Sequence, residues 1–250
     1  MDKITSRKNK IITHMRALGS SRSYRREAGE YLCDGEKLLR EALDWKARIT
    51  GILWSSPPSV AVPSAVPQYF VPTDLLNYVS PLKNTPGPVF SVKIQGDNLP
   101  ARCRQALVLE GVQDPGNVGT VIRTANALET EVVILVGDCA DPYNPKAVRA
   151  AMGALFRQPV LEMDREGLPD FLQSHELALW GAALGTGTED IRKVDLKQAV
   201  VAIGSEGRGL SPELLEICAG RLIIPMAPSS ESLNAAVAAS IVMWEMKRRR

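Results

Sequence analysis

Three segments of this chain set glycines and polar side chains directly after apolar runs. They are Gln113-Asp114-Pro115-Gly116-Asn117-Val118-Gly119-Thr120-Val121-Ile122-Arg123, Gly204-Ser205-Glu206-Gly207-Arg208-Gly209-Leu210 and Ile224-Pro225-Met226-Ala227-Pro228-Ser229-Ser230-Glu231-Ser232-Leu233-Asn234. Such loops can hold a ligand with backbone groups, amides, hydroxyls and a carboxylate, because glycine lets the backbone come close. Each alone is weak evidence, since any tight turn also needs glycine. Spacing argues against two common ligand classes. No G-x-G-x-x-G opens a helix after the first strand, and Gly204-x-x-Gly207-x-Gly209 has the wrong order for a dinucleotide loop. No G-x-x-x-x-G-K-[ST] occurs, so a nucleoside triphosphate is not favoured either. The two histidines, His14 and His175, lie far apart, and Cys33, Cys103, Cys139 and Cys218 form no C-x-x-C pair. A metal site or a disulfide framework is therefore not expected, and the chain fits a reducing compartment.

The three loops need a scaffold that gathers them. From Ala106 onward, apolar runs such as ALVLEGV, EVVILVG, ELALWGAAL, VVAIGSE and RLIIPM alternate with helical patterns near 118–128, 145–156, 168–175, 212–218 and 233–247. The runs are continuous rather than alternating, as in strands covered on both faces. The expected fold class is α/β with a mostly parallel, doubly wound sheet. Ligands of such sheets bind beyond the carboxyl ends of the strands, where all three loops fall. Residues 1–98 predict a smaller α/β domain, and residues 104–250 the larger one, joined by a linker at Gly96–Pro100.

Charge divides the same way. Residues 1–100 hold 14 Lys+Arg against 9 Asp+Glu, and residues 101–250 hold 16 against 19. The N-terminal part is the better candidate for touching a polyanion. A basic helix over 4–18 has Ile4, Ile11, Ile12, Met15 and Leu18 on one stripe and Arg7, Lys8, Lys10 and Arg16 around it, with Arg22, Arg25 and Arg26 following. Contact with RNA is one reading of Arg7, Lys8, Lys10, Arg22, Arg25 and Arg26; a solvated charged face is the other. No run approaches the roughly 18 apolar residues of a membrane span. The polar start MDKITSRKNK has no apolar core of a secretory signal, so a cytoplasmic location is expected.

In this order, the three segments resemble the SpoU-type (TrmH) family of the SPOUT methyltransferase superfamily. Asn117, Gly119 and Arg123 match its N-x-G-x-x-x-R motif. Gly204, Glu206, Gly207, Gly209 and Leu210 match G-x-E-G-x-G-L. Ile224, Pro225, Met226, Ser232, Leu233 and Asn234 match I-P-M…S-L-N. The match covers residues 106–246. Ser6-Arg7-Lys8-Asn9 and Asp34-Gly35-Glu36-Lys37-Leu38-Leu39 resemble the family's N-terminal substrate-binding domain, a ribosomal-protein-like α/β module. Two positions depart from the pattern: Pro228 stands where the family usually has glycine, and Asn234-Ala235-Ala236 where N-V-S is frequent.

The resemblance implies a trefoil-knotted fold, a homodimer, S-adenosyl-L-methionine as cofactor and transfer of its methyl group to a ribose 2′-hydroxyl of RNA. Ribosomal RNA of the large subunit is favoured over transfer RNA because of the N-terminal module; a non-catalytic RNA-binding or ribosome-assembly protein is the alternative of another class. Gly204, Ile224, Met226 and Leu233 would hold the cofactor, Gly204 by leaving it room. Arg123, Asn117, Glu206, Ser232 and Asn234 would form the catalytic set, with no metal. The family's arginine is usually described as the proton acceptor. A guanidinium with a pKa above about 12 offers no lone pair, so Arg123 reads better as a bidentate clamp on an RNA phosphate. Asn117, Ser232 and Asn234 would orient the ribose, and Glu206 would shape that network or cap its own turn.

Overall fold

A computed structural model describes residues 1–96, 99–227, 229 and 232–248. Its contacts fall into two compact units: Met1–Gly96 with Tyr143–Phe156, and Asp97–Pro142 with Arg157–Arg250.

The first unit contains β1 (Asp2–Lys3), α1 (Lys10–Ser20), α2 (Arg22–Ala28), β2 (Glu30–Asp34), α3 (Glu36–Asp44), β3 (Ile49–Trp54), β4 (Gln68–Phe70), α4 (Thr73–Val79) and β5 (Val89–Lys93). The sheet order is β1-β4-β3-β5-β2. β4 runs parallel to β1 and β3, and β5 antiparallel to β2 and β3. Its core gathers Ile12, Met15 and Leu18 of α1 with Leu32, Leu53 and Leu75.

The helix expected over 4–18 begins later. The Asn9 side chain accepts a hydrogen bond from Ile11 N at 2.8 Å and caps α1, while Ile4 N donates to Phe70 O at 2.9 Å and continues the pairing of β1 with β4. Residues 2–4 are thus committed to a sheet edge. Gly19 does not end α1. A Cβ there would meet Leu32 Cδ2 at 3.2 Å, so glycine permits the close seating of the helix on β2. A second helix, α2, starts where Ser21 accepts from Tyr24 N at 3.2 Å.

Arg25, expected on an RNA-facing surface, is only 3% exposed and donates from Nη1 to Leu18 O at 2.7 Å. It ties α2 to the end of α1, and that burial removes it from the accessible basic surface. Arg7, Lys8, Lys10 and Arg26 are exposed, and Arg22 is half-buried.

The second unit contains β6 (Gln105–Glu110), α5 (Pro115–Ala127), β7 (Val132–Val136), and then, after α6 (Pro145–Ala151) of the first unit, β8 (Val160–Met163), α7 (Leu168–His175), β9 (Ala178–Ala182), β10 (Thr188–Asp190), β11 (Ala199–Gly204), α8 (Pro212–Glu216), β12 (Gly220–Ile223) and α9 (Ala235–Arg248). The sheet order is β10-β12-β9-β11-β6-β7-β8, and every pair is parallel. The alternation of apolar strand and helix produces the α/β architecture expected from the sequence. β6, β7 and β11 are buried almost throughout, as strands covered on both faces must be. Gln105, at the start of β6, is buried and donates from Nε2 to Leu196 O at 2.8 Å and Met246 O at 3.0 Å, fastening the end of α9 to the sheet.

The helix expected over 145–156 divides. α6 ends at Met152, which adopts φ 48°; Gly153 follows at φ 88°, and a 3-10 turn covers Ala154–Phe156. This segment groups with the first unit although it follows β7 in sequence. Tyr143 and Phe156 lie 5.1 Å and 6.4 Å from the Tyr31 ring, and Gln95 Nε2 donates to Phe156 O at 2.8 Å.

Candidate functional site

The parallel sheet brings the ends of β6 and β11 side by side, with Glu110 in register with Gly204. The three glycine-rich or polar loops leave from this edge. After β6, Asp114 accepts from Gly116 N at 2.5 Å and Pro115 occupies the first turn, so α5 starts abruptly with Asn117 near its N-terminus. After β11, Gly209 N donates to Ser205 O at 2.9 Å, Ser205 and Gly209 form an isolated bridge, and Gly209 takes φ 67°. After β12, the segment 224–234 leads into α9. Asn234 caps that helix by accepting from Ala236 N at 3.0 Å and Val237 N at 3.3 Å.

One residue from each loop meets in a continuous chain of hydrogen bonds. Asn234 Nδ2 donates to Asn117 Oδ1 at 3.2 Å, and Asn117 Nδ2 donates to Glu206 Oε1. These residues are up to 117 positions apart in sequence. The amide oxygens of both asparagines are therefore engaged by the protein. What remains for a ligand is the remaining N–H of each side-chain amide, the second lone pair of Asn117 Oδ1 and Glu206 Oε2.

Beside this chain lies a cavity of about 490 Å³, within the range of small-molecule pockets. Gly204, Ile224, Met226 and Leu233 line it, and so do Glu206 and Ser232. Ile203, Leu215 and Leu222 contribute apolar wall. An apolar floor with backbone groups along 204–210 and 224–226 suits a purine face and its ring nitrogens. The carboxylate of Glu206 at the lining suits a cationic group. The residues present thus fit S-adenosyl-L-methionine. Pro228, Ser230 and Glu231 lie outside the described residues, and with them the expected effect of Pro228 on the loop before Ser232.

Gly204 acts differently from the expectation that it leaves room for a ligand. A Cβ at this position would overlap the carbonyl carbon and oxygen of Gly209 and the nitrogen of Leu210. The close approach is made by the chain's own loop folding back across the end of β11. Arg123 is exposed on α5, six residues beyond Asn117, and makes no hydrogen bond or ion pair among the described residues. Ser232 is exposed as well. The fold therefore unites Asn117, Glu206 and Asn234, sets Ser232 at the cavity wall and gives the Arg123 guanidinium no partner among the described residues.

Sequence reasoning passed over Glu110. It is 6% exposed, and it accepts from Ser211 N at 2.8 Å, Ser211 Oγ at 2.7 Å and Arg165 Nη2 at 3.0 Å. Ser211 caps α8 directly after the 204–210 loop, so Glu110 anchors the return of that loop to the end of β6. A carboxylate closing an otherwise apolar strand run, ALVLE, was the signal available.

Comparison with known proteins gives a consistent set of relatives. Residues 104–244 match the model of the SpoU rRNA Methylase family. The chain is 30% identical to the 23S rRNA (guanosine(2553)-2′-O)-methyltransferase RlmP of Bacillus subtilis, over 99% of this chain and 100% of the relative. It is 31% identical to the 23S rRNA (uridine(2479)-2′-O)-methyltransferase of Streptomyces viridochromogenes, over 99% and 92%. Among solved structures, the AdoMet-bound rRNA methyltransferase from Sinorhizobium meliloti superposes with a TM-score of 0.88 at 29% identity, covering 99% of this chain and 97% of that one.

Proposed function

The chain belongs to the SpoU rRNA methylase family, and from that premise we propose that it methylates a ribose 2′-hydroxyl of large-subunit ribosomal RNA using S-adenosyl-L-methionine. The observation that carries this reading is the meeting of all three loops at one cavity: Gly204, Ile224, Met226 and Leu233 line it, and the Asn234–Asn117–Glu206 chain stands beside it. When bound, S-adenosyl-L-methionine supplies a methyl group made electrophilic by its sulfonium.

The remaining work belongs to the protein. A ribose hydroxyl is a poor nucleophile until its proton leaves. Glu206 is the carboxylate of the network, and its Oε2 has lone pairs to receive that proton. Asn117 and Asn234 hold Glu206 in place and can offer their remaining N–H groups to ribose oxygens, while Ser232 lies at the cavity wall to do the same. Arg123, without a side-chain partner among the described residues, clamps a phosphate next to the target nucleotide and so fixes where the hydroxyl sits. The exposed basic residues Arg7, Lys8, Lys10 and Arg26 of the first unit, with half-buried Arg22, supply longer-range attraction for RNA, as the family's substrate-binding domain would. The trefoil-knotted fold implied by the family belongs to the same reading.

A homodimer is part of the proposal. On α9, Val237 and Trp244 are 47% and 59% exposed, and half-buried Ile241 lies between them at helical spacing. An exposed tryptophan in an apolar stripe favours a protein-covered face. Trp244→Glu is expected to shift the species seen by light scattering from two chains to one; an unchanged mass would remove this support. Among the described residues no helix is long and apolar enough to cross a membrane, and we place the enzyme in the cytoplasm with its substrate.

The test is methyl transfer by the purified chain with labelled S-adenosyl-L-methionine, offered protein-free 23S rRNA and, separately, bulk transfer RNA. Labelled 23S rRNA is expected, with the methyl mapped to one ribose by reverse-transcription stops at low nucleotide concentration. Label confined to transfer RNA, or found on a base, would overturn the reading. Absence of cofactor binding by calorimetry would favour a protein that only binds RNA.

A further inference from the structure

In the first unit, two arginines converge on one aromatic ring. The Arg7 guanidinium carbon lies 4.6 Å from the centroid of the Tyr78 ring, and that of Arg16 lies 5.2 Å from it. Arg7 comes from the turn before α1, Arg16 from the middle of α1 and Tyr78 from the last turn of α4. Tyr78 is half-buried and packs against the core of the unit, so the ring is a fixed platform. Both arginines are exposed, and neither side chain has a carboxylate partner or a hydrogen bond among the described residues. By contrast, Arg40, also exposed, pairs with Glu36 at 2.6 Å. Here two like charges are held near one another by the negative face of a ring, which costs none of their N–H donors. Both guanidiniums lie within about one Debye length of each other at ordinary salt, so an approaching anion meets their summed field.

We propose that Arg7, Arg16 and Tyr78 form a phosphodiester-binding subsite for RNA, in which Tyr78 positions the two guanidiniums; this rests on the reading that the first unit binds ribosomal RNA. Guanidinium is the suitable group because its planar fork meets two phosphate oxygens at once, and a ring beneath it restricts the fork before RNA arrives. The subsite also separates Arg7 and Arg16, which are preorganised over one ring, from Lys8, Lys10 and Arg26, which are exposed basic residues of the same unit.

The experiment measures binding of the full-length protein to protein-free 23S rRNA across a salt series. Arg7→Ala and Arg16→Ala are each expected to weaken binding on the order of tenfold and to lower the salt slope by about 0.7 to 0.9. Tyr78→Phe keeps the ring and should bind as the parent does. Tyr78→Leu should approach the loss seen in Arg7→Ala, and combining it with Arg7→Ala should add little, because the two changes remove one arrangement. Arg7→Ala and Arg16→Ala alter exposed side chains, so they decide the matter even if Tyr78→Leu folds poorly. Lys8→Ala with Lys10→Ala and Arg26→Ala serves as reference. Parental binding and slope in Arg7→Ala and Arg16→Ala, with a loss in the reference variant, would overturn the subsite alone. Parental binding in every variant would overturn the RNA-binding role of the unit and the subsite with it. Full additivity of Tyr78→Leu and Arg7→Ala would remove the positioning role of the ring.

Discussion

Replacing Arg123 by alanine is expected to lower kcat by on the order of a hundredfold or more while S-adenosyl-L-methionine binds almost as before. The structure supplies two reasons. Arg123 is exposed on α5 and has no side-chain partner among the described residues, so its removal should cost little stability. It is also not among the residues lining the cavity that suits the cofactor. Its contribution then falls on the RNA, at the stage where the hydroxyl must be aligned. A hundredfold loss corresponds to about 2.7 kcal/mol of transition-state stabilisation, a reasonable share for one bidentate phosphate contact made in the reacting complex. Arg123→Lys should recover little, since an ammonium presents a point charge instead of a fork. Lys8→Ala with Lys10→Ala should behave otherwise: weaker RNA binding and a shallower salt dependence, with kcat largely kept at saturating RNA. Single-turnover kinetics across a salt series separate the two patterns. Near-normal turnover of Arg123→Ala once RNA is saturating would make Arg123 a docking residue, and alignment of the hydroxyl would have to come from the Asn234–Asn117–Glu206 chain alone.

The parallel sheet was legible because its strands are buried on both faces and therefore read as unbroken apolar runs, such as Val132–Val136. β1 and β10 were not. Each is two or three residues at a sheet edge, too short to show a period. The start of α1 was misplaced because Ile4 continues an apolar stripe at helical spacing, while Asn9, whose side chain caps the helix, sits inside that stripe. The grouping of 143–156 with the first unit was beyond reach for another reason. Which neighbour buries an apolar helix face is a tertiary fact, and Val148 and Leu155 read the same against either unit. In the site, residue types were legible but partners were not. Asn117, Glu206 and Asn234 stand in separate motifs, and only the fold reveals that each is held by the next. Arg25 was misread for a related reason, since an arginine within a basic run carries no mark of burial, and its bond to Leu18 O depends on the turn between α1 and α2.

The glycine at the end of β11 offers the other large effect. Gly204→Ala should reduce affinity for S-adenosyl-L-methionine by about a hundredfold, and it should do so by opening the loop before any ligand arrives. The added Cβ would overlap the backbone of Gly209 and Leu210, and backbone cannot step aside as a flexible side chain can. The loop must then give up the Ser205–Gly209 bridge and the Gly209 N to Ser205 O bond that fold it over the cavity. A shift of about 3 kcal/mol in that closed arrangement lowers apparent affinity by roughly a hundredfold, because only the closed fraction binds. Neighbouring glycines grade the effect. Nothing lies within 4 Å of a Cβ at Gly207, and its φ is not in the left-handed region, so Gly207→Ala should bind nearly normally. Gly209 has open space but a φ of 67°, so Gly209→Ala should fall between them, at a cost of about 1 to 2 kcal/mol for the left-handed backbone. Calorimetry gives the affinities, and amide exchange at Gly209 in the cofactor-free protein gives the cause. Faster exchange there in Gly204→Ala is the expected result. Unchanged exchange and thermal midpoint, together with weakened cofactor binding, would mean that Gly204 makes room for the ligand after all, and that the loop closes without its help.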